Sequence, residues 1–179
     1  MKQMRNKKGF TLIELLLAMA LMAILIVVFI ASFNVTLKRG RDQRRKNDLS
    51  QLQKALELYY EDNATYPTFD IFSGPSKKFC KTASCGSSET VYMVKTPSDP
   101  SSSYIYRYAY ETPVGGISSK YYLYSYIENG LDQGSGVSLT GYAGVAGFTG
   151  TQTCDTLNTA ATCRYYVSSS NATPLTPNP

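Results

Sequence analysis

The sequence predicts an α+β protein in which a long N-terminal helix packs against a C-terminal antiparallel sheet. Residues 10–33 form an apolar run in which Glu14 is the only charged side chain. Apolar residues then recur at three- and four-residue spacing as far as Tyr59, the pattern of a helix with one apolar face. Tyrosines alternate from 104 to 110 and a second apolar run covers 121–127, which together indicate an antiparallel hairpin.

The apolar run 10–33 is long enough to form a transmembrane helix. Twenty-four residues at about 1.5 Å each span roughly 36 Å, which exceeds the apolar thickness of a bilayer. A carboxylate in such a helix is unfavourable by about 2.5–3.5 kcal/mol near the bilayer centre and by less near an end. Glu14 is therefore a candidate functional residue that needs a partner. If residues 1–9 were a leader removed after Gly9, the free amine of Phe10 in a neighbouring subunit could be that partner.

The motif Lys7-Lys8-Gly9-Phe10-Thr11-Leu12-Ile13-Glu14-Leu15 resembles the class III signal of type IV pilins and type II secretion pseudopilins. The resemblance implies that a prepilin peptidase cleaves after Gly9 and methylates Phe10, and that Glu14 guides the subunit into a filament. Farther along, residues 97–110 and 122–125 are similar to the sheet of major pseudopilins, which implies a pilin-like fold. An ordinary signal anchor is the alternative, because a glutamate one turn into a span can reach the headgroups.

The resemblance implies a structural subunit that polymerises with itself and has no enzymatic activity or cofactor. Its other partners would be the prepilin peptidase, the pilus or type II secretion assembly machinery, and the lipid bilayer before assembly. The chain would begin as a single-pass protein of the cytoplasmic membrane with its N-terminus inside, and end in a cell-surface or periplasmic filament. An extracellular pilus, a secretion pseudopilus and a DNA-uptake pseudopilus are all compatible with the sequence.

A membrane-anchored binding module that does not polymerise, either an adhesin or a DNA receptor, is the alternative function. It would use the tyrosine-rich strand and a basic stretch that contains Lys38, Arg39, Arg41, Arg44, Arg45 and Lys46. We expect this stretch to be a solvated helix face that Asp42 and Asp48 partly neutralise, and the tyrosines to pack against the helix. Four of the eighteen basic residues lie in the leader, which leaves fourteen against thirteen acidic residues and gives DNA binding no support.

The composition argues against an enzyme. Histidine is absent, which excludes the usual serine or cysteine triad and every metal site with an imidazole ligand. No glycine-rich phosphate loop with its lysine follows a predicted strand. We interpret Glu89, Asp99 and Glu111 as solvated carboxylates, and expect neither a catalytic nor a metal site.

The four cysteines, Cys80, Cys85, Cys154 and Cys163, all follow the apolar run. An even number in an exported domain favours two disulfides, for which three connectivities are possible. Local pairing of the first two and of the last two would close two short loops. A zinc site with four thiolates is the rival, but the eight residues between the last two cysteines lie outside the usual spacing. The resemblance implies a disulfide near the C-terminus, which Cys154 and Cys163 match.

The predicted segments are a leader at 1–9, a transmembrane or filament-core helix at 10–33, and an amphipathic second half of the helix at 34–62. A β-rich domain at 63–167 and a disordered tail at 168–179 follow. Short strands are also predicted at 91–94, 137–139 and 164–167. Pseudopilins often carry a calcium loop after the second hairpin strand, but residues 128–134 depart from that pattern, so we prefer a polar turn.

Overall fold

The computed structural model of the chain describes residues 9–73, 77–142, 147–149, 153–156 and 161–177, without the side chains at 28, 31 and 32. The chain divides into two compact units, which meet between Lys38 and Arg39. Helix α1 covers Leu12–Asn63, close to the predicted 10–62, so that its first part belongs to one unit and its second part to the other.

The helix in the first unit carries apolar side chains that are exposed. The large apolar side chains described between Phe10 and Phe33 are 54–90% exposed. Among the described residues, which leave out three side chains of this segment, no helix is both long and apolar enough to cross a membrane.

The second unit is built on a four-stranded antiparallel sheet. Its order is β5-β3-β4-β6, where β3 is Arg107–Glu111, β4 is Tyr121–Ser125, β5 is Phe148–Thr149 and β6 is Tyr165–Ser168. A separate two-stranded antiparallel sheet pairs β1, Phe79–Cys80, with β2, Val91–Met93. A helix combined with antiparallel sheets confirms the predicted α+β class.

The inner face of the four-stranded sheet and one face of α1 share a core. Leu49, Leu52 and Leu56 are fully buried, as their spacing predicts. They cluster with tyrosines of the sheet, in which Tyr108 lies opposite Leu123 on the neighbouring strand. Burying a leucine side chain contributes roughly 1.5–3 kcal/mol, so this contact is the main force that holds the helix on the sheet.

The outer face of the sheet is covered by the C-terminal segment. Residues Tyr122 and Tyr124 of β4 cluster there with the last two cysteines, and Leu175 packs against the same cluster. The Tyr122 hydroxyl donates to the Thr173 carbonyl at 2.6 Å, and the Leu175 N–H donates to the Tyr166 hydroxyl at 3.1 Å. The prediction of a disordered tail from residue 168 is therefore wrong for 168–177, because β4 is buried on both faces and needs this cover.

The strands agree with the sequence at the hairpin, at β2 (predicted at 91–94) and at β6 (predicted at 164–167), and differ elsewhere. The return strand begins at Tyr121 as predicted, but the first strand begins at Arg107 rather than at Tyr104. Tyr104 instead forms an isolated bridge with Asp155, and the predicted strand at 137–139 is reduced to one bridge from Val137. Strands β1 and β5 were not predicted, because two-residue strands carry no periodicity and exist only through their distant partners.

Candidate functional site

The N-terminal motif forms the first turn of helix α1. The Thr11 backbone N–H and hydroxyl both donate to one oxygen of the Glu14 carboxylate at 2.9 Å. The Glu14 N–H donates back to the Thr11 hydroxyl at 3.3 Å. This reciprocal arrangement is a capping box, which satisfies two of the backbone donors that every helix leaves free at its N-terminus.

The predicted cleavage position lies immediately before this cap and is open. Phe10 is 90% exposed, and a Cβ built on Gly9 would meet no atom within 4 Å. The structure therefore places Gly9, Phe10 and Glu14 together at one accessible end of α1. Sequence reasoning missed Thr11, although its spacing of three residues from Glu14 is the signature of a capping box.

A buried cluster of ion pairs occupies the start of the second unit. The Arg45 guanidinium is 0% exposed and donates hydrogen bonds to both oxygens of Asp99 at 2.7 Å. It also contacts Asp42 at 2.7 Å and Glu128 at 2.8 Å. Arg45 thus joins helix α1 to the segment before β3 and to the segment after β4.

This cluster corrects two predictions. The basic stretch is not entirely a solvated face, because Arg45 and Asp42 are buried, and Asp99 is not a solvated carboxylate, because its side chain is fully buried. Burial by itself would lower the pKa of Arg45, but its hydrogen bonds to Asp99 and the other carboxylates raise that pKa above its usual value. The guanidinium is charged at every accessible pH, as the three carboxylates around it require.

Residues 128–134, the predicted polar turn, are tied to the helix by the same basic stretch. Arg41 binds Glu128 through two nitrogens, and Lys46 binds Asp132 at 2.6 Å. The hydrogen bonds from Arg41, acting against burial and together with those from Arg45, lower the pKa of Glu128 from 4.5 to about 2. The segment is therefore an ionised, ordered part of the fold.

The calcium ion that the resemblance implies for this segment does not fit the groups present. The backbone N–H groups of Glu128 and Asn129 donate to the Asp42 carboxylate, at 3.0 and 2.8 Å. Calcium takes oxygen ligands, and N–H donors repel it. Within the part of the chain that the structure describes, no group of three or more His, Cys, Asp or Glu side chains could hold a metal ion.

The tyrosine-rich strand is used inside the fold. The Tyr106 hydroxyl donates to Asp48, and the buried Tyr108 hydroxyl donates to the Pro67 carbonyl, both at 2.8 Å. Burial is the main cause that raises the pKa of both phenols, so they stay protonated as donors. The tyrosines pack against the helix, as expected.

Two disulfides are present, as predicted, and of the three possible connectivities they have the local one. Cys80 bonds Cys85 and Cys154 bonds Cys163, and no free cysteine is left. The second bond lies fully buried on the outer face of the sheet, where its sulfurs pack with Tyr122 and Tyr124. The choice of disulfides over a zinc site is confirmed.

Two families match the chain in consecutive parts. The family described as prokaryotic N-terminal methylation motif matches residues 4–30, and the family described as type II secretion system protein G matches residues 34–140. The second match covers the helix after the apolar run, the hairpin and the segment after it. No solved structure gives a significant match to the chain.

Named relatives support the same assignment. The type IV wide pilus major component PilA4 of Thermus thermophilus is 35% identical over 112 residues, which are 52% of this chain and 85% of that protein. The type II secretion system core protein G of Vibrio cholerae is 33% identical over 70 residues, 39% of this chain and 48% of that protein. The core protein G of Klebsiella pneumoniae is 27% identical over 102 residues, 54% of this chain and 71% of that protein.

Proposed function

The chain belongs to the family of type II secretion system protein G, and on that premise we propose that it polymerises into a helical, type IV pilus-like filament. Its relatives are structural pilin and pseudopilin subunits, and the chain is likewise a structural protein and not an enzyme. In the proposal, a prepilin peptidase removes residues 1–9 and methylates Phe10. The pilus or type II secretion machinery then assembles the mature chain.

The observation that carries this proposal is the state of Glu14. Its hydrogen bonds come from Thr11, and among the described residues no cation lies against its carboxylate. A carboxylate on an apolar helix is unfavourable in lipid or in a dry helix bundle unless a cation pairs with it. Cleavage after Gly9 creates that cation, the Phe10 amine, and a neighbouring subunit brings it to Glu14.

The exposed apolar side chains of the first unit must be buried both before and during filament assembly. Before assembly, the proposal places residues 10–33 across the cytoplasmic membrane with the N-terminus inside. During assembly, the apolar helices exchange lipid for one another and form the filament core. Head-to-tail contacts that do not close into a ring give an open helical polymer, at the cell surface or in the periplasm.

The alternative of an anchored adhesin or DNA receptor relies on features that the fold already uses. Tyr106 and Tyr108 lie in the core with the helix, and Arg41, Arg45 and Lys46 bind acidic side chains. The exposed Arg44 lies 3.9 Å from Asp48. We therefore retain the filament subunit.

The pairing is tested with Glu14→Gln and Glu14→Ala in the native cell. Glutamine keeps an oxygen that accepts from Thr11 but carries no charge, so it separates helix capping from charge pairing. We expect both variants to be inserted and cleaved, with a mature chain that begins at methylated Phe10, and neither to enter filaments. Glu61→Gln, at an exposed carboxylate near the other end of helix α1, is the control and should assemble normally. Filaments of Glu14→Gln at wild-type amounts would refute the pairing.

Processing is tested separately with Gly9→Val. Because nothing lies within 4 Å of a Cβ at this position, the substitution leaves the folded second unit intact. Intact mass and N-terminal sequencing should then find the uncleaved precursor in the membrane. A wild-type chain that still begins at Met1 in the native envelope would refute the cleavage and, with it, the filament subunit.

A further inference from the structure

A pseudopilin calcium site is expected at the acidic residues of the segment 127–134. In this chain, cationic side chains of the helix lie around those acidic residues. Four carboxylates meet there, from Asp42 of the helix, Asp99, Glu128 and Asp132. Arg41, Arg45 and Lys46 of one helical stretch lie against them at 2.5–2.8 Å.

Every carboxylate oxygen of this group already accepts an N–H. In Glu128, one oxygen accepts from Arg41 and Arg45 and the other accepts from Arg41. In Asp42, one accepts from Arg45 and the Glu128 N–H and the other from the Asn129 N–H.

Both oxygens of each of the other two carboxylates also accept an N–H. In Asp99, the two oxygens accept from Arg45, and one also accepts from the Ser101 N–H. In Asp132, one oxygen accepts from Lys46 and the other from the Gly134 N–H. A calcium ion needs about six to eight oxygen ligands at roughly 2.3–2.6 Å, so it would have to displace these donors first.

Lys46 is seated where the segment turns. Its ammonium lies 2.6 Å from Asp132, a Cβ on Gly134 would approach it to 3.3 Å, and it stands over the Tyr165 ring at 5.6 Å from the ring centre. The ammonium therefore occupies the cation position beside the Asp132 carboxylate. The four carboxylates and three cations carry a net charge of −1, which provides little attraction for such an ion.

We propose that Arg41, Arg45 and Lys46 clamp the segment 127–134 in place of a metal ion, so that this subunit folds independently of calcium. The covalently attached cations are always present, whereas a bound ion would stabilise the fold only in proportion to its concentration. The proposal concerns folding of the second unit and does not depend on filament assembly.

The test uses the full chain in detergent and measures thermal unfolding by tyrosine near-ultraviolet circular dichroism. We expect the wild-type midpoint to be the same in excess calcium chloride and in excess EDTA. Terbium, a calcium substitute whose emission tyrosine sensitises, should give no saturable signal from a site beside Tyr165. A midpoint that rises with calcium or falls with EDTA, or saturable terbium emission, would overturn the proposal.

A matched pair of variants tests the clamp itself. Lys46→Gln removes the ammonium at Asp132 and should lower the midpoint by about 3–6 °C, equally in calcium and in EDTA. Lys54→Gln, on the same helix but exposed and without an ion pair among the described residues, should leave it unchanged. If the two variants behaved alike, Lys46 would not be the clamp.

Discussion

Replacing Arg45 by methionine is the most severe single test of the second unit, because it removes the centre of the buried ion cluster. The guanidinium is 0% exposed and touches Asp42, Asp99 and Glu128 at 2.7–2.8 Å. Methionine matches the aliphatic part of the arginine side chain as far as Nε and lacks the rest of the guanidinium. The substitution therefore removes mainly charge and hydrogen bonds.

The expected loss of stability depends on which hydrogen bonds the three carboxylates keep after the substitution. Glu128 still binds Arg41, whereas Asp42 and Asp99 retain only backbone N–H donors. Breaking a buried ion pair from one side costs about 3–5 kcal/mol, because the remaining charges stay buried without compensation. For a unit of this size, about 4 kcal/mol corresponds to a fall of roughly 12 °C in the unfolding midpoint.

The assay is thermal unfolding of the full chain in detergent, followed by tyrosine circular dichroism, with Arg44→Met as the matched control. Arg44 is adjacent in sequence, 66% exposed and 3.9 Å from Asp48. Such a surface pair contributes less than about 1 kcal/mol, so the control should shift the midpoint by no more than about 3 °C. Equal shifts for the two variants would refute the view that Arg45 organises the second unit.

Three further predictions concern other parts of this unit. Replacing Cys154 and Cys163 by serine should destabilise the fold by about 2–4 kcal/mol, because the substitution opens a loop and buries two hydroxyls. The unfolding midpoint without added reductant should fall, and an unchanged midpoint would contradict this. Gly141→Ala should destabilise by about 2 kcal/mol or more, since φ is +83° and the new Cβ would clash with the Thr162 hydroxyl. Gly130→Ala meets nothing within 4 Å and should be neutral. The pKa of Glu128 is about 2 in the folded chain against an ordinary value of 4.5, so its ionised carboxylate stabilises the fold above pH 4.5 and this contribution is lost as the pH drops toward 2. Glu128→Gln should therefore flatten the dependence of the free energy of unfolding on pH in this range, and an unchanged dependence would contradict the assignment.

The sequence by itself determined the features that rest on local patterns. The three- and four-residue spacing of Leu49, Leu52 and Leu56 fixed which helix face is buried, and the two-residue alternation of the tyrosines fixed the hairpin. The even number of cysteines favoured two disulfides, which form, although it left their connectivity open. The Gly-Phe-Thr-Leu-Ile-Glu motif carried the family, because its residue types and their spacing are contiguous.

Only the tertiary structure decided the ion cluster, the short strands and the covering tail. Nothing near Arg45 in the sequence indicates that Asp99 and Glu128, more than fifty residues away, will surround it and make burial of a charge favourable. Likewise, a tail rich in Ser, Thr and Pro has the composition of a disordered segment, yet it packs because β4 offers it an apolar face and a tyrosine hydroxyl that donates to its backbone. Periodicity reports the geometry of one element, whereas a buried charge or a covering loop depends on which distant segments the fold brings together.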